Sequence, residues 1–435
     1  MSSSYKQYIK NLCVLAFPVM LEQLGQIFLG TVDTFFAGTI GDNAIAAINV
    51  SNMFMNLFCT VFSAFGIGVM VLIARALGSE DPGLANRTLR QAILLSTGIG
   101  LALGLVNLLC CRPFLVAAGA KGEILKMGIT YYRIVCIPCF LVGLIQVMAF
   151  GLKAAQNTRA SMIASLLANL INVVLDWLFL KLGMGVFGLG LATTLSRLFN
   201  VLMLLVQYRN GATVLRIDSK NWRREPGLMK EIFSYSAPVM LTHFSARLAI
   251  TIHGALILHL GDLFYVANSI TTQIDEFACI PSAGFEAATS TMVSNSIGAG
   301  KREDVMKYTK TAFVSTALFM TAVGIVLAVF AIPLASLFTK TVEIQKLVSQ
   351  ILTFMVFFDW TSALSHILTS SVQGTGDSKF PLLVTLLGNV LMRLGAGYVL
   401  AYFLHWNLIG VWTGIVLDFL LRGTLLGRKL KKEFS

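Results

Sequence analysis

Seven acidic side chains fall within apolar stretches that are long enough to cross a bilayer. They are Glu22, Asp33, Asp176, Asp275, Glu276, Glu286 and Asp359. A charge at bilayer depth costs about 2.5–3.5 kcal/mol on insertion scales, so each of these residues requires a physical reason. Carboxylates in such a setting indicate that the protein handles protons or other cations.

The N-terminal half supplies a set of oxygen donors. Asn172 and Asp176 are spaced i,i+4 and therefore share one helix face. Asp33 lies on an earlier span, and Thr193 lies near the start of a later one. Two carboxylates, an amide and a hydroxyl are hard donors, which suit a proton or Na⁺ better than a soft metal. A simpler interpretation stays open, in which Asp176 only caps the outer end of its span.

The C-terminal half carries a second candidate set for coupling or for substrate binding, namely Asp359, Glu276 and Arg247. Asp275 and Glu276 are adjacent and so point about 100° apart on a helix; we expect Glu276 to face a cavity. Arg247 could pair with Asp359, Asp275 or Glu276. Asp359 can accordingly be a functional carboxylate or one member of a structural ion pair.

The composition predicts an all-α polytopic membrane protein. The chain is 56% hydrophobic and 12% charged, with a mean hydropathy of +0.78, whereas soluble domains are roughly 25% charged. Apolar stretches of about 20 residues, the length that crosses a bilayer, recur throughout. The twelve predicted spans are 11–37, 45–74, 90–111, 127–151, 160–181, 186–207, 230–259, 266–296, 309–337, 347–371, 380–404 and 408–427.

The net charge of +12 follows from membrane topology and does not indicate nucleic-acid binding. With the N-terminus inside, most lysine and arginine residues fall on inner loops and tails. Those on outer loops are Arg112, Lys121, Lys126, Lys181, Lys340 and Lys346. The positive-inside rule therefore places both termini in the cytoplasm of a plasma-membrane protein.

The sequence repeats itself at an offset of 220 residues. Pro18-Val19-Met20-Leu21 returns as Pro238-Val239-Met240-Leu241, and Gly41-Asp42 returns as Gly261-Asp262. We predict two pseudo-symmetric six-helix lobes, 1–207 and 230–435, joined by a basic cytoplasmic linker, 208–229. In a membrane protein such a repeat is typical of a transporter with its substrate path between the halves. The same offset places His253 opposite Asp33.

Several segments together resemble the MATE (multidrug and toxic compound extrusion) family along essentially the whole chain. They are Phe17-Pro18-Val19-Met20-Leu21, Ala74-Arg75-Ala76-Leu77-Gly78, Asn172-Val173-Val174-Leu175-Asp176, Ile280-Pro281-Ser282-Ala283-Gly284-Phe285 and Gln373-Gly374-Thr375-Gly376-Asp377-Ser378-Lys379. The resemblance implies two lobes forming a V around a central cavity, and export of organic, often cationic compounds in exchange for H⁺ or Na⁺.

The resemblance also assigns roles to residues. Asp33, Asn172, Asp176 and Thr193 match the N-lobe cation site of the family, and the first three would hold Na⁺ if Na⁺ is the coupling ion. Asp359 matches a carboxylate of the NorM branch, but the glutamate that partners it there is replaced here by Ala246. A second cation site of that type is therefore in doubt.

A mechanism follows from physical chemistry. Two neighbouring carboxylates in a medium of low dielectric constant should not both carry a charge without a bound cation. Binding H⁺ or Na⁺ would neutralise the pair and let the helix that carries Asp33 repack. Pro18 removes a backbone hydrogen bond from that helix and is the predicted hinge.

Other function classes fit less well. A flippase or exporter for a lipid-linked or other amphiphilic metabolite is the main alternative, although such relatives usually have extra spans and a cationic cavity. No catalytic or phosphate-binding motif occurs, which argues against an enzyme and against direct use of ATP. In a channel, we would expect charged side chains from both halves to surround the pore axis. We expect no cofactor beyond a possible Na⁺, small organic substrates, and a monomer within the bilayer.

Overall fold

A computed structural model of the chain describes residues 3–211, 213–217 and 222–434. Every regular element in these ranges is a helix. The helices are α1 (Ser3–Ile40), α2 (Asp42–Gly78), α3 (Pro82–Ala117), α4 (Gly122–Cys136), α5 (Phe140–Ala154), α6 (Thr158–Lys181), α7 (Gly185–Arg209), α8 (Pro226–Leu260), α9 (Asp262–Gly298), α10 (Arg302–Val329), α11 (Ala331–Ser336), α12 (Val342–Val356), α13 (Asp359–Gly374), α14 (Lys379–Leu387) and α15 (Asn407–Phe434). Two π-helical segments, Gly388–Ala396 and Val399–Phe403, follow α14.

The all-helical membrane fold is confirmed, but the predicted count of twelve spans is not. Nine of the described helices are long and apolar enough to cross a bilayer, and eleven spans result when two bent helix pairs each count as one. The predicted span 266–296 falls on α9, which is long enough but is not among those eleven. Its acidic residues Asp275, Glu276 and Glu286 lower its mean hydropathy.

The two bent pairs sit at equivalent places in the repeat. Helices α4 and α5 meet at 42°, and helices α12 and α13 meet at 57°. The first break lies at residues 137–139 and contains Pro138, which cannot donate a backbone hydrogen bond. The second break lies at residues 357–358, at the same offset of 220, and forms without a proline.

The helices divide into two compact units. The N unit comprises Leu21–Met240, and the C unit comprises Met1–Met20 together with Leu241–Ser435. The two division points, Met20 and Met240, are themselves separated by the repeat offset. Residues 212 and 218–221 of the predicted linker lie outside the described ranges, and the predicted lobe boundaries stay a prediction.

Each unit has its own apolar core. In the N unit, one cluster centres on Phe65, Val69 and Leu89, and a second surrounds Phe62 and Tyr132. In the C unit, the core gathers around Ile270, Ile351 and other side chains from α8, α9, α12 and α15. Helices α2 and α5 pack closely, since a Cβ at Gly143 of α5 would lie 2.8 Å from the Phe62 ring of α2.

The repeated Gly-Asp pair makes the same turn in both halves. Gly41 has φ 139° between α1 and α2, and Gly261 has φ 130° between α8 and α9. An L-residue with a side chain rarely adopts this region of φ, whereas glycine enters it freely. The repeat at this position therefore preserves a backbone conformation.

A second repeated device caps the helix after each bent pair. Asn157 Oδ1 accepts a hydrogen bond from the Ala160 backbone N–H at 3.2 Å, and Asp377 Oδ1 accepts one from Phe380 at 3.0 Å. Burial acts to raise the pKa of Asp377, but Lys429 and two backbone N–H groups outweigh it and lower the pKa overall. The loops at Asn157 and Asp377 thus share the same capping geometry and differ in charge.

We expect Asn157→Ala to lower the free energy of unfolding by about 1 kcal/mol, because the first turn of α6 loses its capping acceptor. Thermal unfolding of the purified protein in detergent measures this. Asn157→Ser, which keeps an acceptor, is the control. Equal stability of the alanine and serine variants would contradict the capping role.

Candidate functional site

The N unit brings the two predicted carboxylates together. Helix α6 presents Asn172 and Asp176 on one buried face, each 1% exposed, and α1 presents Asp33 opposite them. The carboxyl groups of Asp33 and Asp176 lie within hydrogen-bonding reach of each other. Within the described residues, neither oxygen of Asp176 receives a hydrogen bond from a donor. The two groups can bond to each other only through a proton or a bound cation.

Asn172 links this pair to the third helix of the site. With its amide oriented to satisfy both neighbours, the nitrogen donates to Asp33 Oδ1 at 3.2 Å, and the oxygen accepts from the Thr193 backbone N–H at 3.2 Å. The Thr193 hydroxyl donates to the Leu189 carbonyl at 3.0 Å. The four residues predicted for this site are therefore adjacent, and Thr193 contacts Asn172 through its backbone.

Two further residues belong to this cluster and were not assigned to it from the sequence. The buried Tyr131 hydroxyl is in hydrogen-bonding contact with Thr193 and lies near Asp33. Arg197 donates to the Val135 carbonyl at 3.0 Å and is close enough to Asp33 for a charge interaction. The i,i+4 spacing of Thr193 and Arg197 was a usable signal, whereas nothing in the sequence marked Tyr131.

The predicted hinge lies within an unbroken helix. Pro18 is inside α1, which continues from Ser3 to Ile40. Its repeat partner, Pro238, is likewise inside α8. The bending role of Pro18 stays a prediction.

The C unit contains a cavity of about 170 Å³ with a mixed-charge lining. Its titratable lining residues are His253, Asp275, Cys279, Asp359, His366 and Arg393. Asp359 is the first residue of α13 and is 2% exposed, and its Oδ2 has no hydrogen-bond partner within the described ranges. A carboxylate at this position faces the positive end of the half-helix dipole.

The other two residues of the predicted C-terminal set lie away from Asp359. Asp275, and not Glu276, lines the cavity. Glu276 is exposed, and Arg247 is the cation whose charge acts on it. Of the three partners considered for Arg247, the structure therefore favours Glu276.

A buried ion network in the C unit centres on Asp418. Asp418 is fully buried, and Arg422 binds both of its carboxylate oxygens at 2.5 and 2.6 Å. Arg422 also donates to Asn389 at 2.7 Å. Arg393 Nε lies 3.1 Å from Asp418 Oδ2 but is not aligned as a hydrogen bond. Two arginines thus share one carboxylate, and Arg393 turns towards the cavity.

Comparison with known proteins agrees with this architecture. The MatE family model matches residues 18–178 and again residues 238–399, so its two matches begin at Pro18 and Pro238, the first residues of the repeat. A solved structure described as a multidrug resistance MATE family transporter of the MOP superfamily, in an outward-facing conformation, superposes with a TM-score of 0.92. The two are 22% identical, over 98% of this chain and 96% of that one.

Curated relatives match over nearly the whole chain. A probable multidrug resistance protein NorM of Thermotoga maritima is 26% identical, over 96% of this chain and 90% of the relative. The multidrug and toxin extrusion protein 1 of Homo sapiens is 24% identical, over 95% of this chain and 73% of the relative. These relatives are transporters and not enzymes. The resemblance of the sequence is confirmed, and the chain is a multi-pass membrane transporter that belongs to the MATE family of multidrug efflux proteins.

Proposed function

We propose that this protein is a secondary active antiporter that exports organic, mainly cationic compounds in exchange for H⁺, with Asp33 and Asp176 as the coupling pair. The observation that carries the proposal is the contact between these two carboxyl groups. Within the described residues, no donor forms a hydrogen bond to Asp176. Such a contact is stable only when a cation neutralises part of its charge.

A proton fits this contact more directly than Na⁺. The O–H of one carboxylic acid donates to an oxygen of the neighbouring carboxylate, so a single proton satisfies both groups. Asn172 donates to Asp33 Oδ1, and this fixes the orientation of that carboxyl group. Na⁺ at Asp33, Asn172 and Asp176 remains the alternative that the experiment below separates.

Coupling follows from the change in charge. Loss of the shared proton leaves two carboxylates in contact, and their repulsion favours a different position of Asp33 on α1. Pro18 is the weak point at which α1 can bend. An organic cation would be bound more tightly by the doubly charged pair than by the protonated pair. The drug and the proton would therefore compete for the same two carboxylates.

The substrate class is supported by two observations. Relatives at 24–26% identity are named for multidrug resistance or for multidrug and toxin extrusion, and the coupling pair is acidic. The chain also contains 17 methionines and 30 phenylalanines. Adaptable thioethers and aromatic faces suit loose binding of varied cations. A monomer suffices for this mechanism, because the coupling pair lies within one unit of one chain.

We expect Asp33→Asn to slow proton-driven ethidium efflux from energised vesicles at least about tenfold, in line with the usual contribution of a proton-transfer group. Wild type should export without added Na⁺. Asp42→Asn, an exposed acid just beyond α1, is the matched control and should transport like wild type. Efflux that requires Na⁺ would name Na⁺ as the coupling ion, and equal efflux by wild type and Asp33→Asn would refute the coupling role.

Gly324 gives a separate test of how tightly Asp359 is held. A Cβ at Gly324 would clash with Asp359 Oδ2, whereas a Cβ at Gly254 meets no heavy atom within 4 Å. We expect Gly324→Ala to unfold at a lower temperature than Gly254→Ala, because overpacking a buried site costs about 1–3 kcal/mol. If the two variants unfold at the same temperature, the carboxylate of Asp359 is free to move.

A further inference from the structure

A buried ion pair lies in the N unit apart from the coupling pair. Lys153 Nζ is 3.2 Å from Glu22 Oε2, and the Ser161 hydroxyl donates to the same oxygen at 3.2 Å. Glu22 and Lys153 are 7% and 6% exposed. Removing two charges from water is expensive, and a buried ion pair often adds no net stability over apolar side chains. Stability alone is therefore a weak reason for this pair.

Glu22 borders a polar cavity of about 110 Å³, which has room for a few water molecules. Four amide side chains line it: Gln26, Gln146, Asn169 and Asn200. Asn169 Nδ2 is buried without a partner within the described residues, and such a group is normally satisfied by ordered water. The structure thus combines a hydrogen-bonding lining, space for water and an unsatisfied donor.

A polar stripe connects this cavity with the coupling pair. Ser161, Ser165, Asn169, Asn172 and Asp176 follow one another at spacings of three or four residues along one face of α6. At a rise of about 1.5 Å per residue, Asn169 lies roughly 4.5 Å along the helix axis from Asn172. On α1, Glu22 and Gln26 precede Asp33 on the side of the loop 155–157, which the topology predicts to be cytoplasmic.

The repeat shows that the fold does not require charge at these positions. The residues 220 positions after Glu22 and Lys153 are Thr242 and Gln373, a buried neutral polar pair in the C unit. The same two helices accommodate either chemistry. The charged version occurs in the unit that also holds the facing carboxyl groups of Asp33 and Asp176.

We infer that Glu22 and the hydrated cavity beside it form the proton route from the coupling pair to the cytoplasm. This inference rests on the proposed function with H⁺ as the coupling ion. A proton leaves the Asp33–Asp176 pair, crosses the cavity through water as its carrier, and binds the Glu22 carboxylate, which then releases it towards the cytoplasm. Lys153 is the charged group in contact with Glu22, and the α6 and α7 residues that line the cavity carry no titratable group.

The test uses the full-length protein in liposomes that contain a pH-sensitive dye. Two rates are measured for each variant: proton release on addition of tetraphenylphosphonium, and exchange of tritiated for unlabelled tetraphenylphosphonium, which needs no net proton transfer. The decisive variant is the double substitution Glu22→Gln with Lys153→Gln. It makes both positions neutral and polar, as the equivalent positions of the C unit are, and it removes the carboxylate together with the charge of the lysine that contacts it.

We expect the double variant to exchange substrate at the wild-type rate and to release protons at least about tenfold more slowly, because a proton-transfer group is missing. Glu22→Asp, which keeps a carboxylate, should recover most of the release rate. Wild-type proton release by the double variant would overturn the inference and leave the pair a structural one. Parallel loss of release and exchange in the double variant would do the same.

Wild type serves as the separate check on the proposed function. If wild type exchanges tetraphenylphosphonium but releases no proton, H⁺ coupling itself fails, and the proton route fails with it. If wild type releases protons and the double variant does too, H⁺ coupling stands and only the role of Glu22 is lost.

Discussion

The contact between Asp33 and Asp176 constrains the rest of the N unit. Two unit charges 4 Å apart repel by about 4 kcal/mol where the effective dielectric constant is about 20, so this contact cannot persist with both groups ionised and unpaired. Asn172 donates to Asp33 and accepts from the Thr193 backbone N–H, and so ties the pair to α7. The chain keeps a costly arrangement inside the membrane, and such an arrangement is useful when a cation binds and leaves in each cycle.

The two halves share a backbone and differ in chemistry. The turns at Gly41 and Gly261 and the caps at Asn157 and Asp377 repeat with nearly the same geometry. The repeat diverges at the coupling pair, since His253 occupies the position equivalent to Asp33. In the C unit, the fully buried Asp418 is instead paired with Arg393 and Arg422. Both units therefore share a scaffold, and the pair of contacting carboxyl groups at Asp33 and Asp176 belongs to the N unit.

Much of the fold could be predicted because hydropathy and the repeat are direct consequences of the bilayer and of duplication. The donor set at Asp33, Asn172 and Asp176 was also accessible, because helical spacing places α6 residues on one face. Tyr131 was not, since a tyrosine among apolar residues gives no sign of what its hydroxyl contacts. Asp275, and not the adjacent Glu276, lines the C-unit cavity because of the way α9 is rotated about its axis. Two adjacent acidic residues in a sequence do not reveal that rotation. The break at residues 357–358 contains no proline, so no residue type marks it in the sequence.

The central claim is that one proton is shared between Asp33 and Asp176, and infrared difference spectroscopy tests it directly. A protonated carboxyl group absorbs through its C=O stretch at a position distinct from that of a carboxylate. We predict that adding tetraphenylphosphonium to the protein at neutral pH in Na⁺-free buffer removes one such band, and that the loss is absent in Asp33→Asn and in Asp176→Asn. A wild-type difference spectrum without this band would contradict the account.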